Sequence, residues 1–590
     1  MADGGDDVPV GLPPRGGPLG RSRGRLSASA LTTYLRCPRQ WLLLYQAGLQ
    51  APTRPSQILG VVLEEALCEL LMMHPPEEVV GTDELRQWAK TGIESLAIKA
   101  QQEGERAWQE SLWTVDDESW SDIPLEVFVN RLQGGLDLFL SEVQACFEAG
   151  GGPYLAAMRQ GTQPFNVPAP CNSAPPVFPL PEKVPDVDLR RWPLDDLPIW
   201  QPLDAAVKWN EAWECARPWF KDPRVHQPQR LYHPEGWASG ELDLVLRWDG
   251  TVRLVDIKSG RPGSAFSPSL EHQLRFYAWL WHETHGGDLV SAMEGWYLDG
   301  GERVAFDVPL SAEIEQLHTH YATLHQTMQS MAEGVLAFPA SPDLACDGAA
   351  AGCSWCSLSR DEQGVWKGAP SLSWVGDISN VSMRSPYQPL AMIQGRVAVR
   401  GRLTGVWGPL PNHFGEPVLG AVLVVGDQHI TVEEGEPGAF STLHEANEQD
   451  VVILDALPGV WRDQPRLYMD GSSSMLLEEG PDVTHANTTF TRLGLLRTRA
   501  NVSGHVLSLG RRSGVRIDGK PWTMVSFMLW DGSSIAEVVA FGSSINQRLL
   551  ELRPGDEIGM TGVEIGWRSG VLQLRIDNRK TRLDLQAIRE

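Results

Sequence analysis

The sequence predicts an α/β core with helical insertions, followed by two all-β barrels of the five-stranded OB type. Three observations carry this. An alternating apolar and polar stretch over 237–258 reads as a β-hairpin, and helix, strand and helix patterns follow at 269–285, 292–299 and 311–333. From residue 391 onward the chain is β-rich, with turn signals every 8–12 residues. That β-rich part also repeats itself. "GRVAVRGRLTGVW", "GAVLVVGDQHITV" and "DVVILDALPGVWRDQPRLYMDG" are answered by "ANVSGHVLSLG", "WTMVSFMLWDGSSIAEVVAF" and "LRPGDEIGMTGVEIGWRSGVLQLRID". Each set reads as a strand followed by two hairpins, which suits a five-stranded barrel.

The elements follow in order. Residues 1–25, rich in Gly, Pro and Arg and without an apolar h-region, read as a disordered tail and not as a secretory signal. A cytoplasmic location is therefore expected. Ser27 or Ser29 can cap a first helix, and a second begins near Ile58 with Leu63, Ala66, Leu67 and Leu70 on one face. Residues 82–149 continue as helices with a break near Pro124, and 150–203, rich in proline, read as loop. The α/β core thus spans 26–358, a Ser/Gly/Pro linker 359–390, and the barrels 391–480 and 481–590.

With 590 residues, two to four domains are expected. No run of 18 apolar residues occurs, so no transmembrane helix and no membrane partner are expected. A net charge of −25 excludes a uniformly basic nucleic-acid binder, so any such contact needs a local basic patch. The second barrel supplies one. Residues 497–582 carry 13 Lys+Arg and 8 Asp+Glu, whereas 393–480 carry 5 and 13. Single-strand binders combine a positive groove with aromatic stacking platforms. Arg511, Arg512, Trp522, Phe527, Trp567 and Arg568 are the candidates, although aromatics at such positions also fill barrel cores.

The hairpin "GELDLVLRWDGTVRLVDIKSG" holds the densest chemistry. Asp249-Gly250 reads as a type I′ turn. A two-residue loop then pairs Trp248 with Thr251, sets Asp243 opposite Asp256 and Glu241 opposite Lys258, and puts all four on one face. Leu242, Leu244, Leu246, Val255 and Ile257 form the other, core face. Opposed carboxylates with β-carbons roughly 4.5–5.5 Å apart repel, and a divalent cation between them removes that cost. Mg²⁺ takes carboxylates and water, activates water and stabilises a leaving oxygen. An ordinary solvated face with a Glu–Lys cross-strand pair is the plainer alternative.

The series Gly240, Asp243, Asp256, Lys258, Gln273 and Tyr277 resembles the RecB-like branch of the PD-(D/E)XK nucleases. "SASALTTYLRCPRQWLLLY" resembles that family's opening helix. The resemblance covers roughly residues 26–358. It implies a restriction-endonuclease-like core and a catalytic set of Asp243, Asp256, Lys258, Gln273 and Tyr277. It also implies Mg²⁺ or Mn²⁺ held by Asp243, Asp256, the Ile257 carbonyl and Glu64. Glu64, within "GVVLEEAL", stands where the family has a metal-binding histidine.

Cys346, Cys353 and Cys356 form C-x6-C-x2-C, with Cys37 far upstream. By resemblance to AddB-type and CRISPR-associated iron–sulfur nucleases, these four would hold a 4Fe-4S cluster that staples the first helix to the domain's end. The family's C-terminal spacing runs in the opposite order, and zinc or unligated thiols are the alternatives. Cys68, Cys146, Cys171 and Cys215 read as small core residues.

The C-terminal strands are similar to OB domains of archaeal replication protein A. With no Walker A motif, the chain has no helicase motor of that type, and strand separation would come from a helicase or single-strand-binding partner. The expected activity is metal-dependent hydrolysis of DNA with a single-stranded portion, in repair, recombination or replication. A CRISPR-type spacer-processing nuclease and a non-catalytic single-strand-binding scaffold are the rivals.

Overall fold

The protein was described from a computed structural model. It covers residues 26–36, 38–41, 44–45, 49–115, 117–159, 205–220, 231–235, 237–263, 267–333, 387–393, 395–411, 417–434, 442–461, 464–469, 473–477, 489–515, 519–531, 535–568 and 571–586. Among the described residues, no helix is long and apolar enough to cross a membrane.

The N-terminal part begins with helices α1 (Ala28–Arg36), α2 (Pro55–Leu71), α3 (Thr82–Glu110), α4 (Leu125–Glu148), α5 (Gly152–Arg159) and α6 (Trp209–Ala216). Pro55 opens α2, where a missing N–H costs nothing, so the helix starts a turn earlier than its apolar pattern. A five-stranded sheet follows in the order β1-β4-β5-β6-β7. Its strands are β1 (Trp219–Phe220), β4 (Leu244–Leu246), β5 (Arg253–Lys258), β6 (Ala292–Tyr297) and β7 (Glu302–Phe306). Strands β2 (Leu231–Tyr232) and β3 (Ser239–Gly240) pair separately. Helix α7 (Ser267–Thr284) crosses from β5 to the parallel β6, and α8 (Ser311–Glu333) packs on α7.

Helices cover both sides of this sheet. Helix α7 packs on β5 and β6, and α4 on β6 and β7. That corrects the expectation of a single core face on the hairpin. Val245 and Leu254 are as buried as Leu244, Leu246 and Val255, while Leu242 and Ile257 are only partly buried. Glu142 of α4 anchors the sheet by accepting from Trp248 Nε1, Arg253 and Arg303.

The hairpin has the expected register, with Leu244 opposite Val255 and Leu246 opposite Arg253. Its loop is different. The Gly250 N–H donates to the Arg247 carbonyl, and only Gly250 has a positive φ, at 85°. The last pair of the ladder is Leu246 with Arg253, so residues 247–252 form the connection, four more than a type I′ loop, and the pairing is the same. Cys68, Cys146 and Cys215 are buried among core residues, as expected. Cys171 lies outside the described residues.

The C-terminal region holds two six-stranded sheets of like design. The first comprises β8 (Val397–Pro411), β9 (Pro417–Val425), β10 (Gln428–Glu434), β11 (Asp450–Trp461), β12 (Gln464–Met469) and β13 (Ser474–Leu477). The second comprises β14 (Arg499–Val515), β15 (Pro521–Trp530), β16 (Ile535–Phe541), β17 (Glu557–Arg568), β18 (Val571–Ile576) and β19 (Arg582–Gln586). In each, five strands pair as a ring containing one parallel pair, β10 with β12 and β16 with β18. That order is consistent with the OB arrangement. The second unit also packs on neighbours. Trp113, from the segment after α3, joins its apolar core, as do Leu390 and Ile393, and the Leu390 N–H donates to Asp531 at 2.6 Å.

Candidate metal centre and nucleic-acid interface

Asp256 lies mid-sheet on β5, between β4 and β6, and is 1 % exposed. Its carboxylate pairs with the Lys258 ammonium two residues along, on the same face. Neither oxygen has a well-directed hydrogen-bond donor among the described residues.

Asp243 does not sit in the ladder opposite Asp256, as the hairpin arithmetic expects. The β4 ladder begins at Leu244, and Glu241 is not paired with Lys258. Instead the Asp243 side chain accepts the Ile257 N–H at 2.9 Å, replacing the carbonyl a longer β4 would have offered. The chain turns away here because Gly240 belongs to the other hairpin, opposite Leu231. A strand residue's N–H and C=O share an edge, so the Ile257 carbonyl faces the Asp243 side too.

The electrostatics gather the predicted residues. Burial pushes the Asp243 carboxyl well above its ordinary range, and the Asp256 and Glu64 charges add to that, with Lys258 opposing. Burial likewise raises Asp256, against the Lys258 ammonium. Burial alone would lower Lys258, but Asp256 and Asp243 outweigh it and hold it charged. Burial, Asp243 and Asp256 all raise the Tyr277 hydroxyl, so it stays protonated as a donor. Gln273 Nε2 donates to the Tyr277 hydroxyl at 3.2 Å, one helical turn away on α7.

Glu64, on α2, thus reaches the same electrostatic neighbourhood, and so does Glu241, which acts on Tyr277. Gly240 makes the room. A β-carbon there would stand 3.0 Å from Tyr277 Cε1 and 2.9 Å from Leu280 Cδ2. Tyr297, beside Lys258 on β6, was not foreseen, and only its place at the end of a predicted strand could have signalled it.

The donor set fits a hard divalent cation. Three carboxylates and a backbone carbonyl are all oxygen donors, and the Asp256 carboxylate is fully buried. The Asp243, Asp256 and Glu64 donors are not gathered within 4.8 Å of one another in the metal-free protein. Cys37, Cys346, Cys353 and Cys356 lie outside the described residues.

On the second barrel, Arg511 and Arg512 are exposed on β14 and pair with Val525 and Met524. Trp522 is half-buried opposite Gly514, whose missing side chain leaves space for the indole. Phe527 corrects the expectation. At 2 % exposed it belongs to the barrel core, where no base can stack on it. Trp567 and Arg568 end β17, opposite Leu572 and Val571. Their side chains lie outside the description.

The chain is similar to several solved structures at low identity. A replication protein A heterotrimer bound to single-stranded DNA matches at 14 % identity, over 35 % of this chain and 52 % of that one, with a TM-score of 0.13. The chain therefore spans about half of that relative. A murine DNA-binding protein bound with double-stranded DNA matches at 14 % identity, over 33 % and 97 %, with a TM-score of 0.13. An OB domain from Thermoplasma acidophilum matches at 15 % identity, over 17 % and 84 %, with a TM-score of 0.14. No curated protein matches the sequence. Residues 25–148 and 199–360 match the family model of the PD-(D/E)XK nuclease superfamily. The N-terminal half of the chain carries a PD-(D/E)XK nuclease superfamily domain.

Proposed function

We propose that the chain is a metal-dependent deoxyribonuclease of RecB-like type that cleaves DNA with a single-stranded portion. The observation that carries this reading is Asp256. It is a fully buried carboxylate, paired with a charged lysine and near enough to Asp243 to push that carboxyl up.

Asp243, Asp256, Glu64 and the Ile257 carbonyl would hold Mg²⁺ or Mn²⁺. When bound, the ion supplies Lewis-acid activation of water and neutralises charge on the phosphodiester. The protein's own residues do the rest. Lys258, held protonated by Asp256 and Asp243 in the metal-free protein, is placed to stabilise the negative charge that builds on the attacked phosphate or to help deprotonate the attacking water. Lys258 would have to leave Asp256 for that carboxylate to hold the ion. Gln273 and the protonated Tyr277 hydroxyl offer donors along α7 for orienting a phosphate or the attacking water. The basic β14–β15 hairpin with Arg511, Arg512 and Trp522 would hold the strand. The site needs the helicase or single-strand-binding partner only where the DNA is fully duplex. The cysteine spacing keeps a 4Fe-4S cluster in this reading, tested by iron content and visible absorbance after anaerobic purification.

The test is a digest of end-labelled single- and double-stranded DNA with Mg²⁺ or Mn²⁺, against a chelator control. Metal-dependent loss of the single-stranded label supports the reading. Intact DNA with both metals overturns it and leaves a binding scaffold.

A further inference from the structure

We infer that His233, Glu283 and His318 form a second metal site, separate from the carboxylate centre and suited to Zn²⁺. Among the described residues, their donor atoms alone meet the requirement that three ligand atoms lie within 4.8 Å of one another.

The geometry favours an ion over hydrogen bonds. Glu283 Oε2 lies 3.5 Å from His233 Nε2 and 3.5 Å from His318 Nδ1. Those distances exceed the usual N–H···O range of about 2.7–3.2 Å. They approach the edge of a tetrahedron with ~2.0–2.1 Å zinc–ligand bonds, about 3.3–3.4 Å. His233 is 2 % exposed, and its Nε2 has no hydrogen-bond partner, although it points into the cluster. A buried polar atom left so is costly unless something binds it.

The surroundings fix the ring. His233 stacks on Trp279 at 5.4 Å and 17°, and Trp237 lies 4.6 Å from it. His282 Nδ1 stands 3.1 Å from Glu283 Oε1, which leaves Oε2 turned to the two other ligands. The Glu235 N–H donates to His233 Nδ1 at 3.2 Å. A metal held at Nε2 would need the ring proton on Nδ1, at the expense of this contact. Two histidines and one carboxylate leave a fourth position for water.

The site's place suggests its use. His233 follows β2, Glu283 ends α7 and His318 lies on α8. An ion here ties the helix carrying Gln273 and Tyr277 to α8 and to the β2–β3 hairpin, whose Gly240 packs against Tyr277. It would act as a clamp on positioning residues and not as a second reaction centre.

The test loads the chelator-stripped full-length protein with ZnCl₂, removes loose metal by dialysis and measures zinc per chain and the zinc-dependent rise in Tm. Glu283→Gln and His318→Ala are compared with the parent, with circular dichroism as the fold check. The cysteines and the carboxylate centre are the same in all three. The proposal expects each folded variant to hold about one zinc fewer and to lose the Tm rise. If His318→Ala fails to fold, His318→Gln replaces it. Equal zinc in the parent and every folded variant overturns the proposal, as does a parent that retains no zinc.

Discussion

The Asp243 carboxylate accepts the Ile257 N–H at 2.9 Å, so a side chain completes the hydrogen bonding of β5 where β4 has ended. This places Asp243 beside Asp256 without putting the two carboxylates on a rigid, like-charged cross-strand pair. It also aims the Ile257 carbonyl at the same edge. The hydrogen bond that finishes the sheet thereby builds the oxygen-rich corner.

Asp256→Asn should abolish metal-dependent cleavage and the stabilisation that the metal gives. The metal-free variant also loses the partner of the Lys258 ammonium, so its stability should fall. The parent should gain about 2.7 kcal/mol at a metal concentration ~100 times its Kd, and the variant should not. Paired denaturation curves with and without Mg²⁺ check this. Equal metal stabilisation of both proteins would sink the assignment.

Lys258→Met should lower kcat by about 10²–10³, the usual loss when one preorganised charge or donor is removed at the reacting centre. Metal affinity should hold or rise, because the ammonium competes for Asp256. A Mg²⁺ titration of activity separates the two effects. A variant with normal kcat and weaker metal binding would contradict the role given to Lys258.

Gly240→Ala should disturb the site more than the fold. The new methyl would meet Tyr277 Cε1 at 3.0 Å and Leu280 Cδ2 at 2.9 Å. Overpacking of this kind costs about 1–3 kcal/mol, and here the ring must give way. Cleavage should fall while circular dichroism and the presence of one cooperative unfolding transition are unchanged. Unaltered kcat would show that the placement of Tyr277 does not matter.

Much of this was legible in the sequence because it is local. The register of β4 and β5 followed from centring the pairing on Asp249-Gly250, which a longer loop about the same centre keeps, and Gln273 and Tyr277 followed from helical spacing. What failed was tertiary. Nothing local says that Gly240 leaves the ladder for β2, so Glu241 was set opposite Lys258. Strand β7 was overlooked because an edge strand with mostly exposed residues lacks alternation, although the Gly300-Gly301 turn, with both φ positive, was a readable hairpin signal. Phe527 and Trp522 look alike in sequence, and only barrel closure separates the core ring from the surface one. His233, Glu283 and His318 carry no spacing signal, since three separate elements bring them together.

Arg511→Ala and Arg512→Ala should each weaken single-stranded DNA binding and shallow its salt dependence by about 0.7 in log–log slope per lost phosphate contact. Both are exposed on β14, so the fold should tolerate the change. Phe527→Leu is the counterpart. Its ring is in the core, so stability should drop while the salt slope stays the same. Binding isotherms over a range of salt concentrations decide this. Unchanged slopes in both arginine variants would move the strand path elsewhere.

Glu434 should make the first barrel lose stability as pH rises. Ile430, Val432 and Glu434 alternate inward on β10, and Glu434 is fully buried with neither oxygen hydrogen-bonded. Burial pushes its carboxyl up to about 8. A group with a folded value above its unfolded one, near 4.5, contributes stability below pH 4.5 and loses it as the pH climbs toward 8. The loss across that window should be a few kcal/mol. Glu434→Gln should flatten the profile, because an amide has no charge to bury. Denaturation midpoints from pH 5 to pH 8.5, followed by a probe in the first barrel, check this. A parent with a flat profile over that window, or a variant with the parent's slope, would show that the carboxylate finds water or a counter-charge in solution.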